Sequence, residues 1–331
     1  MEVGKLPNKL LEEIIISNIK TRRDEVIERA GVGKDCAVID YGNKYCVISS
    51  DPITGATKNI GKIAINVACN DIGAAGAEPN ALLMTILAPK GTDQDEIEEI
   101  MKEANEAADL INVEIVGGHT EITDAVNKMV LSLTALGIRD KNINSEPIKS
   151  GDLLLISKEI GIEGTSIIYS ENTKELDKEL FNDSRLSSKK VKGYVNKLSV
   201  VKEGVICGKL GSKYMHDITE GGVYGALWEA YKANGLGILV NEENIPLSIE
   251  TKSVCNYYKI NPYRLISSGA MLIIANKDNS YKMIKKLKEE GIPLKIIGEI
   301  IDEKKCLTQK NQEITEIQEP SSDELYKVVT K

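Results

Sequence analysis

From residue 61 to residue 79 the chain reads GKIAINVACNDIGAAGAEP. Small and aliphatic residues fill almost all of it. The spacing predicts a helix over 61–77, which Glu78, Pro79 and Asn80 end. A helix that is apolar on nearly every side belongs in an interior. Asn70 and Asp71 sit in its middle. Leaving a neutral polar group unpartnered in such surroundings costs about 2–7 kcal/mol, and a charge costs more. A metal ion, or a donor reaching across an interface, would compensate the Asp71 carboxylate. The plain alternative sets Asp71 on an exposed stripe.

Toward the N-terminus, Leu10, Leu11, Ile14, Ile15 and Ile19 recur at helical spacing and predict a helix over 7–29. Strands are expected over 36–40 and 45–49 around a turn at 41–44, with Asp51 and Pro52 closing the second. Beyond the central helix, a strand over 81–87 precedes an amphipathic helix over 92–111, where Thr92 and Asp95 form a capping box. Strands over 113–116 and 128–138 follow, then a polar, turn-rich stretch over 139–150. The second half opens with a strand over 153–157 and a charged helical section over 171–209. A strand and helix occupy 216–234, and strands are expected over 237–240, 270–275 and 294–298. Neither half keeps a strict βαβ period, so two α+β domains are expected, with the boundary at 145–150.

Bulk composition narrows the function. With a formal net charge of -8 and no long basic run, the chain has no electrostatic footprint for nucleic acid. The longest apolar stretches stop well short of a membrane span. The first residues, with Glu2, Lys5 and Pro7, lack the pattern of a secretory signal. Cys36, Cys46, Cys69, Cys207, Cys255 and Cys306 are scattered without a CxxC pair, which suits reduced thiols and a cytoplasmic location. Two histidines, His119 and His216, are too few for an ordinary zinc site.

Acidic residues mark the expected strand ends. Asp35 follows Gly31–Val32–Gly33, Asp51 follows Val47–Ile48–Ser49–Ser50, and Glu121 follows Gly117–Gly118–His119–Thr120. Carboxylates grouped this way can share Mg²⁺, which takes a few carboxylates plus water and phosphate oxygens. Singly, each is also an ordinary loop acid. In the second half, Asp217–Ile218–Thr219–Glu220–Gly221–Gly222 opens a helix with Thr219 as its expected N-cap. Its free N–H groups would suit a phosphate, and its glycines equally suit close helix packing. His119, His216, Cys36 and Cys69 read as locally bonded or buried residues, not nucleophiles.

Taken in order, these segments resemble the AIR-synthase (PurM-like) superfamily across nearly the whole chain, and most closely its HypE-like hydrogenase-maturation branch. Gly33–Lys34–Asp35–Cys36–Ala37 is similar to the family's G-D-D-A-A segment, and Ser50–Asp51 to its T-D. Residues 70–79 resemble its N-D helix, and Gly117–Gly118–His119–Thr120–Glu121 its glycine-threonine segment. The second half adds Gly151–Asp152–Leu153–Leu154, Gly161–Ile162–Glu163–Gly164–Thr165, residues 216–222 and Arg264–Leu265–Ile266–Ser267–Ser268–Gly269.

The resemblance implies a two-domain α+β, PurM-like fold. An N-terminal domain, 1–148, forms a β-barrel with a second copy, and a C-terminal α/β sandwich domain spans 149–331. It implies ATP and Mg²⁺ in the cleft between the domains. Asp35, Asp51 and Asp71 would be metal ligands, and Asp71 and Asp217 catalytic. Lys34, Asp51, Thr120, Glu121, Thr219, Gly221 and Gly222 would contact the nucleotide. The implied chemistry is ATP-dependent activation of an amide or carbonyl oxygen on a small-molecule or protein-bound acceptor. The alternatives are a phosphotransferase resembling thiamine-monophosphate kinase and a non-catalytic nucleotide-binding homodimer.

Two departures qualify the likeness. Lys34 stands where the family has the first Asp of its pair, and an ammonium cannot ligate Mg²⁺. The HypE reaction uses a C-terminal cysteine, whereas this sequence closes on Val329–Thr330–Lys331. A different acceptor is therefore expected.

Overall fold

The computed structural model describes residues 6–54, 58–143, 146–320 and 322–329. Its first half opens with α1 (Asn8–Leu10), continued by a π turn over Leu11–Ile15 and a 3-10 turn over Ile16–Asn18. The single helix expected over 7–29 is thus cut short. Its apolar stripe packs poorly, with Ile14 and Ile15 each 50% exposed, while Val26 pairs with Ile39 in a sheet.

That sheet has six strands: β1 (Val26–Glu28), β2 (Ala37–Asp40), β3 (Tyr45–Ile53), β4 (Glu78–Pro89), β5 (Glu114–Thr123) and β6 (Val130–Arg139). Their order is β1-β2-β3-β6-β4-β5, antiparallel except for the β4–β5 pair. Alternate residues, among them Leu82, Met84, Ile86, Leu131, Leu133 and Ala135, turn one face into a core. α2 (Ile60–Ala74) and α3 (Gln94–Ile111) cover that face. Asp93, not Thr92, caps α3, accepting from the Glu96 amide at 3.0 Å.

The long strands correct one expectation. Asp51 and Glu121 were expected at strand ends, yet both lie inside strands, paired with Leu133 and Leu87. β6 offers backbone partners all along β3, so the ladder carries past Ser49 to Ile53.

The second half builds a seven-stranded sheet from β7 (Leu153–Ser157), β8 (Tyr214–Asp217), β9 (Gly237–Asn241), β10 (Met271–Ala275), β11 (Leu294–Ile301), β12 (Cys306–Lys310) and β13 (Glu313–Glu316). The order is β13-β12-β9-β11-β7-β10-β8. The section 171–209 is broken into α5 (Thr173–Glu179), α6 (Ser188–Lys192), a 3-10 turn and α7 (Val201–Lys209), after α4 (Ile162–Glu171). α8 (Gly222–Asn234), α9 (Ile249–Tyr258), α10 (Lys277–Glu289) and a last short α11 (Tyr326–Val329) complete it. The change from one sheet to the other falls within 140–152. Of the boundary expected at 145–150, Ser145 lies outside the described residues, as do Thr330 and Lys331 at the chain end.

The two halves meet along α2, which explains its composition. A Cβ on Gly204 of α7 would sit 2.0 Å from the Gly73 carbonyl oxygen, so these helices touch backbone to backbone. Asn70 crosses the same seam. Its Nδ2 donates to the Leu198 carbonyl at 2.8 Å, and its Oδ1 accepts from the Val200 amide at 2.7 Å. The buried amide is therefore satisfied by the other half's backbone. Among the described residues, no helix is long and apolar enough to cross a membrane.

Candidate metal centre

Asp71 is the acid that the central helix buries, at 7% exposure, so the exposed-stripe alternative does not hold. Ser49 of β3, itself buried, donates its hydroxyl to Asp71 Oδ2. The same hydroxyl lies 3.3 Å from Asp51 Oδ2 and 3.0 Å from the Asp35 carbonyl oxygen. One serine thereby ties three segments that the sequence keeps well apart.

The second half brings the other wall. Asp217 ends β8 at 1% exposure, and among the described residues neither of its oxygens has a hydrogen-bond donor in bonding geometry, with the Asp71 carboxyl its near neighbour. His216 precedes it in the strand and faces Asp35: His216 Nδ1 lies 2.6 Å from Asp35 Oδ2. The other ring nitrogen, Nε2, lies 2.8 Å from Glu229 Oε2 on α8. With a carboxylate oxygen at each nitrogen, the ring donates from both sides as an imidazolium. Gly33, at φ +71°, lets the loop carrying Asp35 press against α8, where a Cβ would lie 3.1 Å from Ala233 and the Glu229 carbonyl.

Electrostatics agree with the crowding. Burial, reinforced by Asp217, Asp51 and Asp35, holds the Asp71 carboxyl well above the usual carboxylate range. Burial and the nearby Asp35 push Asp217 up to about 7. Burial alone would lower His216, but Asp35 beside it outweighs that and holds it well above the ordinary imidazole range. Burial and the same acids raise the Cys36 thiol, and burial lifts Cys69 to about 12, so neither is a nucleophile at neutral pH.

These side chains fit a divalent cation. Carboxylate oxygens of Asp35 and Asp217 lie within 4.8 Å of one another and of the His216 ring, which donates from both nitrogens and so stands beside a cation rather than ligating it. Hard oxygen donors dominate the set, and Asp217 offers two buried oxygens without donors. A cation there would relieve a desolvated group that the chain itself leaves unpaired.

Other expected contacts lie elsewhere. Register sets Asp51, Leu133, Met84 and Gly118 in one row across β3, β6, β4 and β5. Three strand spacings, about 14 Å, therefore separate the carboxylates from the segment holding Thr120 and Glu121. Both are exposed on the edge strand, with Glu121 3.3 Å from His119. Lys34 extends to Glu28, its Nζ 3.4 Å from Oε2.

The N-terminus of α8 also differs from expectation. Its N-cap is Gly221, without a side-chain cap, and Thr219 only accepts the Gly222 amide through its carbonyl at 3.1 Å. Gly222 packs on backbone: a Cβ there would lie 2.7 Å from the Tyr263 carbonyl oxygen. Asp323, from the C-terminal tail, stands where the phosphate reading put an anion. It accepts from the amides of Gly221 (2.6 Å), Ile266 (3.2 Å) and Leu325 (2.8 Å). Thr219, Gly221 and Gly222 thus pack a helix against the tail. Asp323→Ala strands these amides and is expected to cost about 2–4 kcal/mol in urea unfolding. A loss under about 0.5 kcal/mol would show that Asp323 is not the anchor.

Sequence reasoning missed His216, read as a backbone-bonded residue, and with it Glu229 and Ser49. The available signal was adjacency. His216 directly precedes a candidate ligand at the end of a strand, and both side chains come within reach of Asp35.

Fold and site together define a two-domain α+β protein with carboxylates gathered from both halves at the seam. The chain belongs to the AIR synthase related protein family, whose N-terminal domain matches residues 33–139 and whose C-terminal domain matches residues 149–308. It is 27% identical over 308 residues to a Methanocaldococcus jannaschii protein provisionally named for hydrogenase expression/formation, covering 89% of this chain and 88% of that one. It is 25% identical to the carbamoyl dehydratase HypE of Escherichia coli, over 77% of this chain and 74% of HypE. Its fold matches a crystal structure of the hydrogenase maturation protein HypE in complex with ATP, with a TM-score of 0.73 and 18% identity, covering 98% and 97% of the two chains.

Proposed function

We propose that this protein is a Mg²⁺-dependent ATP-binding enzyme that activates an amide or carbonyl oxygen of an acceptor. The observation that carries the reading is Asp217, buried with two donorless oxygens and facing Asp35 and Asp71 from the opposite half. Such a pocket of acids destabilises the metal-free chain and suits cations that carry a triphosphate. The HypE–ATP complex supports the same reading by similarity of fold.

Asp35, Asp51, Asp71 and Asp217 would hold the cation, which supplies charge neutralisation at the phosphates. Ser49 orients Asp71 and Asp51. His216, clamped by Glu229, fixes the Asp35 carboxylate and bears the local positive charge. Lys34, beside Asp35 and 3.4 Å from Glu28, would turn from that acid to meet a phosphate oxygen. Thr120 and Glu121 reach a nucleotide only if it extends across the sheet toward β5.

The reading includes a homodimer. β5 is a nearly wholly exposed edge strand, and Leu83, Val116 and Ile122 are 45%, 53% and 52% exposed around it. An unpaired apolar edge of this kind is a pairing surface. Light scattering is expected to give twice the 36.2 kDa chain mass, and a monomer at working concentration would remove the shared barrel. The six unpaired cysteines support a cytoplasmic setting.

Incubation with Mg-ATP tests the function. ADP release, alone or with a carboxamide, is the expected result. Transfer to thiamine monophosphate would make the protein a kinase instead, and tight binding without turnover a nucleotide-binding dimer.

A further inference from the structure

Two apolar surfaces of this chain have no partner among the described residues. The first is the N-terminal segment. Leu10, Leu11, Ile14 and Ile15 share one side of α1 and its π turn, and Lys9, Glu12 and Glu13 lie on the other. None of these side chains is buried, and none joins an apolar core.

The second is a trough on the seam between the halves. Cavities of about 820 Å³ and about 350 Å³ share Glu78 and Val205, so they run into one another. Ala107 and Ile111 of the first half and Val201, Val205 and Ile206 of α7 form the apolar floor. Leu110 stands at the rim, 82% exposed, and Ile138 lines the smaller end. No residue of the acid cluster lines either cavity. A continuous apolar surface of this kind marks an interaction site.

The segment is tethered beside the smaller end. The Glu25 carbonyl accepts from the Asp40 amide at 2.7 Å, and Asp40 pairs with Lys141 at 2.6 Å. The adjoining Asp140 lines the smaller cavity. From that anchor the link over 19–22 spans up to about 14 Å, and the turns over 8–18 add about 16 Å. Along α7 the trough runs from Lys202 to Lys209, about 10 Å, so the reach exceeds it. Lys209 on that bank offers a cation to the glutamates beside the stripe. A short tether holds the helix at an effective concentration on the order of millimolar, which favours it over a free second copy.

We propose that residues 7–19 are a strap that lies down in this trough, apolar stripe inward, and clamps the two halves together. The mode is a helix laid into a groove. It needs neither metal nor nucleotide, so it stands apart from the function proposed above.

The test uses the full chain without metal or nucleotide. Ile14→Cys combined with Leu110→Cys, both at exposed positions, is treated with a short bis-maleimide and mapped by mass spectrometry. A link within one chain is expected, identified by mixing isotopically light and heavy protein. Links only between chains would give the trough to a second copy, and no link would leave it uncovered; either result overturns the strap. The neutral dye N-phenylnaphthylamine reports the open trough. Ile14→Glu with Ile15→Glu changes residues outside every core and should tighten dye binding about tenfold, as for a trough whose covering is favoured by near 1.4 kcal/mol. Equal dye affinity in the two proteins overturns the proposal.

Discussion

Asp71→Asn is expected to stabilise the metal-free protein at pH 8 while lowering its affinity for Mg-ATP by about 100-fold or more. The two effects have opposite signs and a common cause. Asp71 is buried among Asp35, Asp51 and Asp217, which together with desolvation oppose its ionisation. Asparagine keeps the shape and can still accept from Ser49, but it carries no charge to be repelled. The folded state is relieved and the thermal midpoint rises. A cation loses one anionic ligand, and changes one layer further out already cost metal affinity about 10–100-fold. Calorimetric titration with Mg-ATP and a melting curve measure the pair. Unchanged affinity would falsify the ligand role of Asp71, and a collapsed fold would show that its charge is structural.

The second large effect is on pH. Asp71 and Asp217 have folded-state pKa values above those of unfolded carboxylates, Asp217 at about 7 from an ordinary 3.8. Glu163, desolvated in α4, is raised to about 7, and Asp323, also desolvated, to about 6. For each, the folded chain holds a proton that the unfolded chain has already released. Their stabilising contribution is complete below about pH 4 and is lost as pH rises through each folded value, about 6 for Asp323 and about 7 for Glu163 and Asp217. His216, also raised, acts in the same direction, losing its contribution as pH rises through its elevated folded value. Asp217 alone is worth on the order of 4 kcal/mol at one pKa unit per 1.36 kcal/mol. Urea unfolding of the metal-free chain is expected to show stability falling steadily between pH 5 and 8, and Mg²⁺ at pH 8 to restore much of it. A flat or rising profile would mean that these acids are solvated in solution. Asp217→Asn should flatten the slope, which distinguishes the cluster from diffuse charge effects.

Much of this arrangement could be read before any coordinates. The helix over 61–77 was recognisable because its small residues left Asn70 and Asp71 without an obvious partner. The structure then divides that pair: Asn70 belongs to the interdomain backbone, Asp71 to the acid cluster. Composition could not make the division, because adjacent helical residues leave the axis about 100° apart and only the surroundings decide what each one meets. The glycines of residues 221–222 show the opposite failure. A phosphate site and a packed helix use the same residues, and only Asp323, a hundred positions later in the chain, reveals which anion sits there.

By itself the sequence singled out Asp71, because a charge buried among aliphatic neighbours is costly enough to be visible in a pattern, but not His216, Glu229 or Ser49. It also determined the two α+β halves, through periodicity that each segment carries locally. Only the tertiary structure decided which acids meet. Asp35, Asp71, His216 and Asp217 come from a loop, a helix and a strand of different sheets, and their approach depends on the backbone contact of α2 with α7. Proximity between distant segments is a property of how helices and sheets pack, and no local pattern encodes the distance across that seam.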